Sequence, residues 1–226
     1  MTTSIATTHG TRAMRLAATA TLLLALLLSA TQARAATMGF EAVEGLFPES
    51  SISMDVTSAG NAATFTLRNS GVGAITAIYF DWGSLDSLFG DPAAIDDSLD
   101  GVSYTDDQGN WFRASPRNMP GANGMDNPFQ ADFSLGPEHR GGVPHNGIGL
   151  GEYLSITWEL AGLSFEQLLD ALNTGDVRVG MHVQSLADGS SATGVSATPI
   201  PGAVWLLGSA LAGLLVLQRV RGSSPS

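Results

Sequence analysis

Alternation of apolar and polar residues in the middle of the chain constrains the fold more than any other feature. Four stretches alternate with a period of two: Ile52–Thr57, Ala63–Asn69, Leu154–Leu160 and Val177–Val183. Successive side chains of a strand point to opposite faces, so each stretch is predicted to be a strand with one buried face. Ala74–Asp81 is more fully apolar and is predicted to be a central strand.

Two weaker strand candidates and one helix complete the predicted domain, residues 36–197. The strand candidates are Gly101–Thr105 and Phe129–Leu135, and Ser164 is placed to cap a helix that ends near Gly175. Its apolar stripe is Phe165, Leu168, Leu169 and Leu172. About seven short strands separated by turn residues, with one helix, predict an all-β fold, an antiparallel β-sandwich with one short helix.

An export signal is predicted over residues 1–35. Two arginines precede the apolar run Leu16–Ala30, and small residues stand at Ala33 and Ala35, where signal peptidase reads its substrate. Cleavage is expected directly after Ala35. Translation starts either at the first residue or at Met14, and the alternative to a signal peptide is an uncleaved anchor helix.

Composition limits the chemistry and the partners of the predicted domain. The chain has no cysteine, which excludes disulfides, thiolate nucleophiles and cysteine-ligated metals. Residues 36–201 hold five arginines against 21 acidic residues, a net charge of −16. Such a charge repels nucleic acid, so no nucleic-acid partner is expected.

An acidic stretch suggests a calcium site. Asp96, Ser98, Asp100 and Asp107 stand at positions 1, 3, 5 and 12 of a loop with Gly101 at position 6, which places oxygen ligands around a sharp turn. The alternative is an ordinary acidic β-turn without a cofactor, since Asp and Gly are common turn residues.

Other constellations give weaker indications of chemistry. His139, His145 and His182 lack the spacing of a metal site and are predicted to be solvated. Asp81 and Glu159 can be proposed as a glycosidase pair, but nothing in the spacing favours them over other carboxylates. We therefore do not expect an enzyme.

Five aromatic side chains offer a sugar-binding platform. They are Tyr79, Trp82, Tyr104, Trp111 and Phe112. Aromatic faces can stack on pyranose rings, but such residues more often belong to a core. The two interpretations remain open at this point.

The C-terminal segment is predicted to cross a membrane. Pro199, Ile200 and Pro201 precede an uncharged apolar run over residues 202–217, with a tryptophan near its start. Two arginines follow the run. Because cytoplasmic flanks are basic, residues 222–226 are predicted to form a cytoplasmic tail and the domain to face outward.

Residues 198–221 resemble the PEP-CTERM sorting domain of Gram-negative surface proteins, in a variant of the form V-P-L-P-A-A-V-W-L-F-G-S. The motif residues are Pro199, Ile200, Pro201, Trp205, Gly208, Ser209, Gly213, Arg219 and Arg221. Ile200 stands where the family usually has Glu. The resemblance implies that an exosortase-type membrane protease recognises the tail and removes it.

The middle region also resembles an ectodomain found in such proteins, through Ile78–Asp81, Gly147–Glu152 and Val179–Ser185. These features predict an exported, non-enzymatic protein with a structural or adhesive role. It would be released to the cell surface or the extracellular polysaccharide of a biofilm. The alternative is an uncleaved single-span periplasmic module that binds glycans or calcium.

Overall fold

The computed structural model describes residues 35–197, which form ten strands, one α-helix and two short 3-10 helices, at Gly83–Leu88 and Ala122–Gly124. The strands are β1 (Ala35–Met38), β2 (Phe40–Glu44), β3 (Ile52–Ala59), β4 (Ala62–Asn69), β5 (Ala74–Asp81), β6 (Ala94–Asp96), β7 (Phe133–Leu135), β8 (Tyr153–Glu159), β9 (Arg178–Gln184) and β10 (Ala192–Ser196). The helix α1 spans Phe165–Thr174.

The strands form two five-stranded sheets in which every described pairing is antiparallel. The first sheet has the order β1-β3-β4-β8-β6 and the second the order β2-β10-β9-β5-β7. The prediction of an all-β antiparallel fold is thereby confirmed. No helix within residues 35–197 is long and apolar enough to cross a membrane. The predicted signal peptide, apart from Ala35, and the predicted span at 202–217 lie outside the described residues.

The apolar residues of the alternating stretches meet between the two sheets. In β8, Leu154, Ile156 and Trp158 are buried while the residues between them are partly exposed. Aromatic rings fill the centre: the Phe80 centroid lies 4.6 Å from that of Trp158, and the Trp158 centroid 5.1 Å from that of Trp82. Rings at these distances favour the edge-to-face arrangement and contribute beyond their buried area.

Helix α1 has the predicted start, stripe and end. The Ser164 hydroxyl accepts from the Gln167 amide, and the Gln167 side chain accepts from the Ser164 amide, which forms a capping box. Phe165, Leu168 and Leu172 are buried on one face. Gly175 ends the helix with φ 74°, a conformation that glycine adopts at low cost.

The sequence-based strand predictions were wrong or incomplete at six places. Gly101–Thr105 is a turn followed by a single bridge between Thr105 and Trp111, and only Phe133–Leu135 of the predicted Phe129–Leu135 strand pairs. Four strands were not predicted: β1, β2, β6 and β10. Three of them are edge strands and all four have five residues or fewer, so they carry little periodic pattern.

Strand β5 is buried on both faces because a loop lies over the outer side of the second sheet. We call residues 113–131 the cover segment. Its buried residues Met119, Ala122 and Phe129 form a second apolar cluster with Tyr79 of β5. The sequence predicts a functional or mobile loop over 113–151; the structure shows that its first half is packed as a third layer.

An ion pair fastens the cover segment to the sheet. Arg178 of β9 pairs with Asp81 of β5, and the two side chains are only 12% and 8% exposed. The Arg178 guanidinium also donates to the Asn127 and Pro128 carbonyls, and Asp81 accepts from the Gln130 amide. Arg178 therefore links β5, β9 and the cover segment.

Replacing Arg178 by methionine tests this anchor. The change keeps the aliphatic stem but leaves the Asp81 carboxylate buried without its partner, so the free energy of unfolding should fall by about 3–5 kcal/mol in urea denaturation. Arg68→Met is the matched control, because the Arg68–Asp55 pair is exposed (50% and 32%) and should cost no more than about 1 kcal/mol. Equal losses in the two variants would contradict the anchor.

A second test concerns the packing of the cover segment on the sheet. A Cβ added at Gly180 of β9 would meet the Met119 sulfur and lie 3.2 Å from the Phe129 ring. Gly180→Ala should therefore destabilise the fold by about 1–3 kcal/mol through overpacking, measured by thermal unfolding. Gly39→Ala is the control, since nothing lies within 4 Å of its Cβ position. An unchanged Gly180→Ala variant would show that the segment is not packed there.

Candidate ligand-binding groove

A tight turn before the cover segment positions Trp111. The Asp106 carboxylate accepts from the Gln108 and Asn110 amides at 2.9 and 2.8 Å, and from the Asn110 side chain. These hydrogen bonds hold the pKa of Asp106 below its usual value. The turn returns the chain so that Thr105 and Trp111 form an antiparallel bridge. Trp111 is thus placed by local hydrogen bonds.

Trp111 lines a cavity of about 240 Å³ at the edge of the second sheet. Its ring centroid lies 5.8 Å from that of Phe133 in β7, and Phe133 packs in turn on Trp158 of the core. Trp111 is half-buried, so this packing holds one part of the side chain and leaves the rest accessible. The lining residues are Asp91, Trp111, Arg113, Arg117, Ala131, Asp132, Phe133 and Ser134.

The cavity also gathers charged groups of both signs. Arg113, Arg117 and Asp91 line it and are exposed. Asp132 accepts from the Trp82 amide at 2.7 Å. Partial burial raises the pKa of Asp132, and Asp86 and Asp81 raise it further, against the Trp82 hydrogen bond. The charged atoms stand beside an aromatic wall, an arrangement that suits a polar ligand with one apolar face.

A second cavity of about 150 Å³ is lined by Arg113 as well. Its other lining residues are Thr76, Ala77, Ser115, Gly136, Pro137, His139, Val143, His182 and Gln184. We call the two cavities together the Trp111 groove. The groove was not predicted from the sequence, because its residues come from β5, β7, β9 and three loops.

His182 differs from its predicted state. It is half-buried, and its Nδ1 lies 3.2 Å from the Thr193 hydroxyl. Burial lowers the pKa of His182, while Glu44 and the Ala192 backbone act in the opposite direction. His139 and His145 are exposed, as predicted, and His139 shares the second cavity with His182.

The predicted calcium ligands lie in or after β6. Asp96, Ser98, Asp100 and Asp107 are all exposed, and Gly101 has the predicted turn conformation with φ 93°. Among residues 35–197, no three His, Asp or Glu side chains form a group suited to a metal ion. The calcium site stays a prediction.

The neighbouring Asp97, which the calcium pattern did not use, organises this loop. Its carboxylate accepts from the Tyr104 and Thr105 amides at 2.7 and 2.8 Å and from the Thr105 hydroxyl. A side chain that satisfies two loop amides fixes the loop in the way Asp commonly fixes turns. Asp97 lies seven and eight residues before the two amides it binds, so the only signal for this role in the sequence is an Asp at the start of a loop.

Of the two interpretations of the five aromatic residues, the structure supports a core role for three. Tyr79, Trp82 and Tyr104 are at most 2% exposed and belong to the core. Burial raises the pKa of Tyr79 to about 12. Only Trp111 and Phe112 are partly accessible. Of the five, Trp111 is the one that lines the Trp111 groove.

The remaining site predictions fall elsewhere. Asp81 is occupied by Arg178 in the second sheet, whereas Glu159 is exposed in the first, which gives the two carboxylates different environments. The predicted sorting residues between 199 and 221 and the signal-peptidase residue Ala33 lie outside the described part of the chain. Ala35 is the first residue of β1.

The lowered pKa of His182 predicts a pH dependence of stability. The pKa of an unfolded His is near 6.5, and the pKa of His182 in the folded protein is lower. The unfolded state therefore binds more protons, and the free energy of unfolding falls as the pH drops below about 6.5. His182→Gln should flatten the fall in unfolding free energy between about pH 7 and 5, by less than ~1.4 kcal/mol per pH unit. His145→Gln, at an exposed site, should keep the wild-type slope. Identical slopes in wild type and His182→Gln would contradict the prediction.

Comparisons with known proteins give no match: no family model, no curated protein and no solved structure is similar to this chain at the significance required.

Proposed function

We propose that this chain is an exported protein of the cell surface or extracellular matrix of a Gram-negative bacterium, with a structural or adhesive role. A C-terminal sorting tail would hold the precursor in the inner membrane, with its sandwich domain in the periplasm. An exosortase-type protease would then release the domain to the surface. The N-terminal segment would be removed earlier by signal peptidase.

The position of the last strand is the observation that carries this proposal. Strand β10 ends at Ser196, and the amide of the next residue, Ala197, donates to the Gly39 carbonyl at 3.0 Å. Pro199 follows two residues later. Removal of the tail at or after Pro199 would thus leave every described strand intact. Removal of residues 1–35 would take only Ala35 from β1.

Mass spectrometry of the exported protein tests the proposal. The mature chain should begin at Ala36 and end between Pro199 and Gly202. Deletion of the exosortase gene should leave the longer, membrane-bound form. An intact tail on protein recovered from the cell surface would contradict processing, and recovery of the unprocessed chain from the cytosol would contradict export.

The Trp111 groove favours a second candidate, an uncleaved periplasmic module that binds glycans through this groove. Its aromatic wall and charged rim are the features that this candidate needs. A tail that stays attached while the protein remains in the inner-membrane fraction would support the second candidate over the first. Calcium binding at Asp96–Asp107 belongs to the same alternative.

A further inference from the structure

The arginines of the described domain are unevenly used. Residues 35–197 contain five, of which Arg68 and Arg178 pair with aspartates. Arg113 and Arg117 form no ion pair within the described residues, and both line the first cavity of the Trp111 groove. Against Asp91 and Asp132 in the same lining, these two arginines bring the formal charge of the cavity to zero, in a domain whose net charge is −16.

An aromatic wall accompanies these cations. Trp111 is braced by Phe133, which is itself braced by the core, so the position of the indole is fixed before any ligand arrives. A rigid aromatic surface binds at a low entropic cost. The indole ring of Trp111 packs more favourably on the C–H face of a pyranose than on a fully polar group.

Two carboxylates and a hydroxyl supply the remaining contacts. Asp91, Asp132 and Ser134 line the same cavity, and Asp132 uses one of its carboxylate oxygens for the Trp82 amide. Carboxylates accept hydrogen bonds from sugar hydroxyls, but they repel a ligand that carries negative charge on every side. The ligand that fits combines one anionic group with several hydroxyls.

We propose that the Trp111 groove binds uronate units of an acidic polysaccharide. The uronate carboxylate contacts Arg113 and Arg117, the ring lies against Trp111, and the hydroxyls donate to Asp91 and Asp132. Guanidinium groups recognise carboxylates through paired, charge-assisted hydrogen bonds. This inference names the ligand class of the glycan-binding groove proposed above, and it rests on that second candidate function.

The groove fits part of a chain and not an isolated molecule. The first cavity, about 240 Å³, is smaller than the roughly 300–1,000 Å³ of sites that enclose a whole small ligand. Arg113 belongs to both cavities, and the second, about 150 Å³, offers hydroxyl, amide and imidazole groups. Arg113 is therefore placed to contact a sugar unit in either cavity.

Calorimetric titration tests the site. It uses the protein in the form that the cell produces, purified in detergent. The probes are a galacturonate hexamer and the same hexamer with its carboxylates methyl-esterified, which differ in charge but share the sugar ring. The acidic hexamer should bind, and the ester should bind at least tenfold more weakly. Arg113→Gln and Arg117→Gln should each reduce affinity for the acidic hexamer at least tenfold.

Arg140→Gln is the matched control, since Arg140 is exposed and lies outside both cavities. Its affinity should equal that of the wild type, and all three variants should keep the wild-type melting temperature because the arginines are exposed. Absence of binding to the acidic hexamer, equal binding of the ester, or equal weakening by Arg140→Gln would each overturn the site. Failure of export or processing would appear only in the mass of the cellular protein, so the two proposals fail separately.

Discussion

The Asp81–Arg178 ion pair holds the cover segment against the outer side of the second sheet. A guanidinium held at 12% exposure must satisfy its donors nearby, and it does so with one carboxylate and two carbonyls of the cover segment. Its carbon also lies 5.2 Å from the centre of the Phe129 ring. Because the two ends of this network lie in different layers, the cover segment cannot leave the sheet without exposing a buried charge.

The same attachment prepares the Trp111 groove. The cover segment begins at Arg113, two residues after Trp111, and it ends at Ala131, next to Asp132 and β7. Both ends of the segment line the first cavity. The aromatic core, through Phe133, supports the groove from the inside. Ion pair and core therefore hold the groove from opposite sides, which explains how loop residues can form a fixed surface.

The sequence allowed the longer elements to be predicted, because period-two patterns and a capped helix express local rules. Strands β3, β4, β5, β8 and β9 and the capping box at Ser164 follow from such rules. Short edge strands do not, since three to five residues hold too little pattern. The partners of the buried Tyr79 and Tyr104 were not predictable: a loop covers the sheet over Tyr79, and the Tyr104 hydroxyl reaches the Ile75 carbonyl at 2.6 Å. The groove was missed for the same reason, since Arg113 and His182 meet only in the folded chain.

Nuclear magnetic resonance of the tryptophan indole groups examines the groove most directly. Trp82 and Trp158 are buried in the core, whereas Trp111 lines the cavity. Addition of a galacturonate oligomer should shift the indole N–H signal of Trp111 and leave those of Trp82 and Trp158 in place. Shifts confined to the other tryptophans, or no shift at Trp111 at saturating oligomer, would contradict a ligand site at this groove.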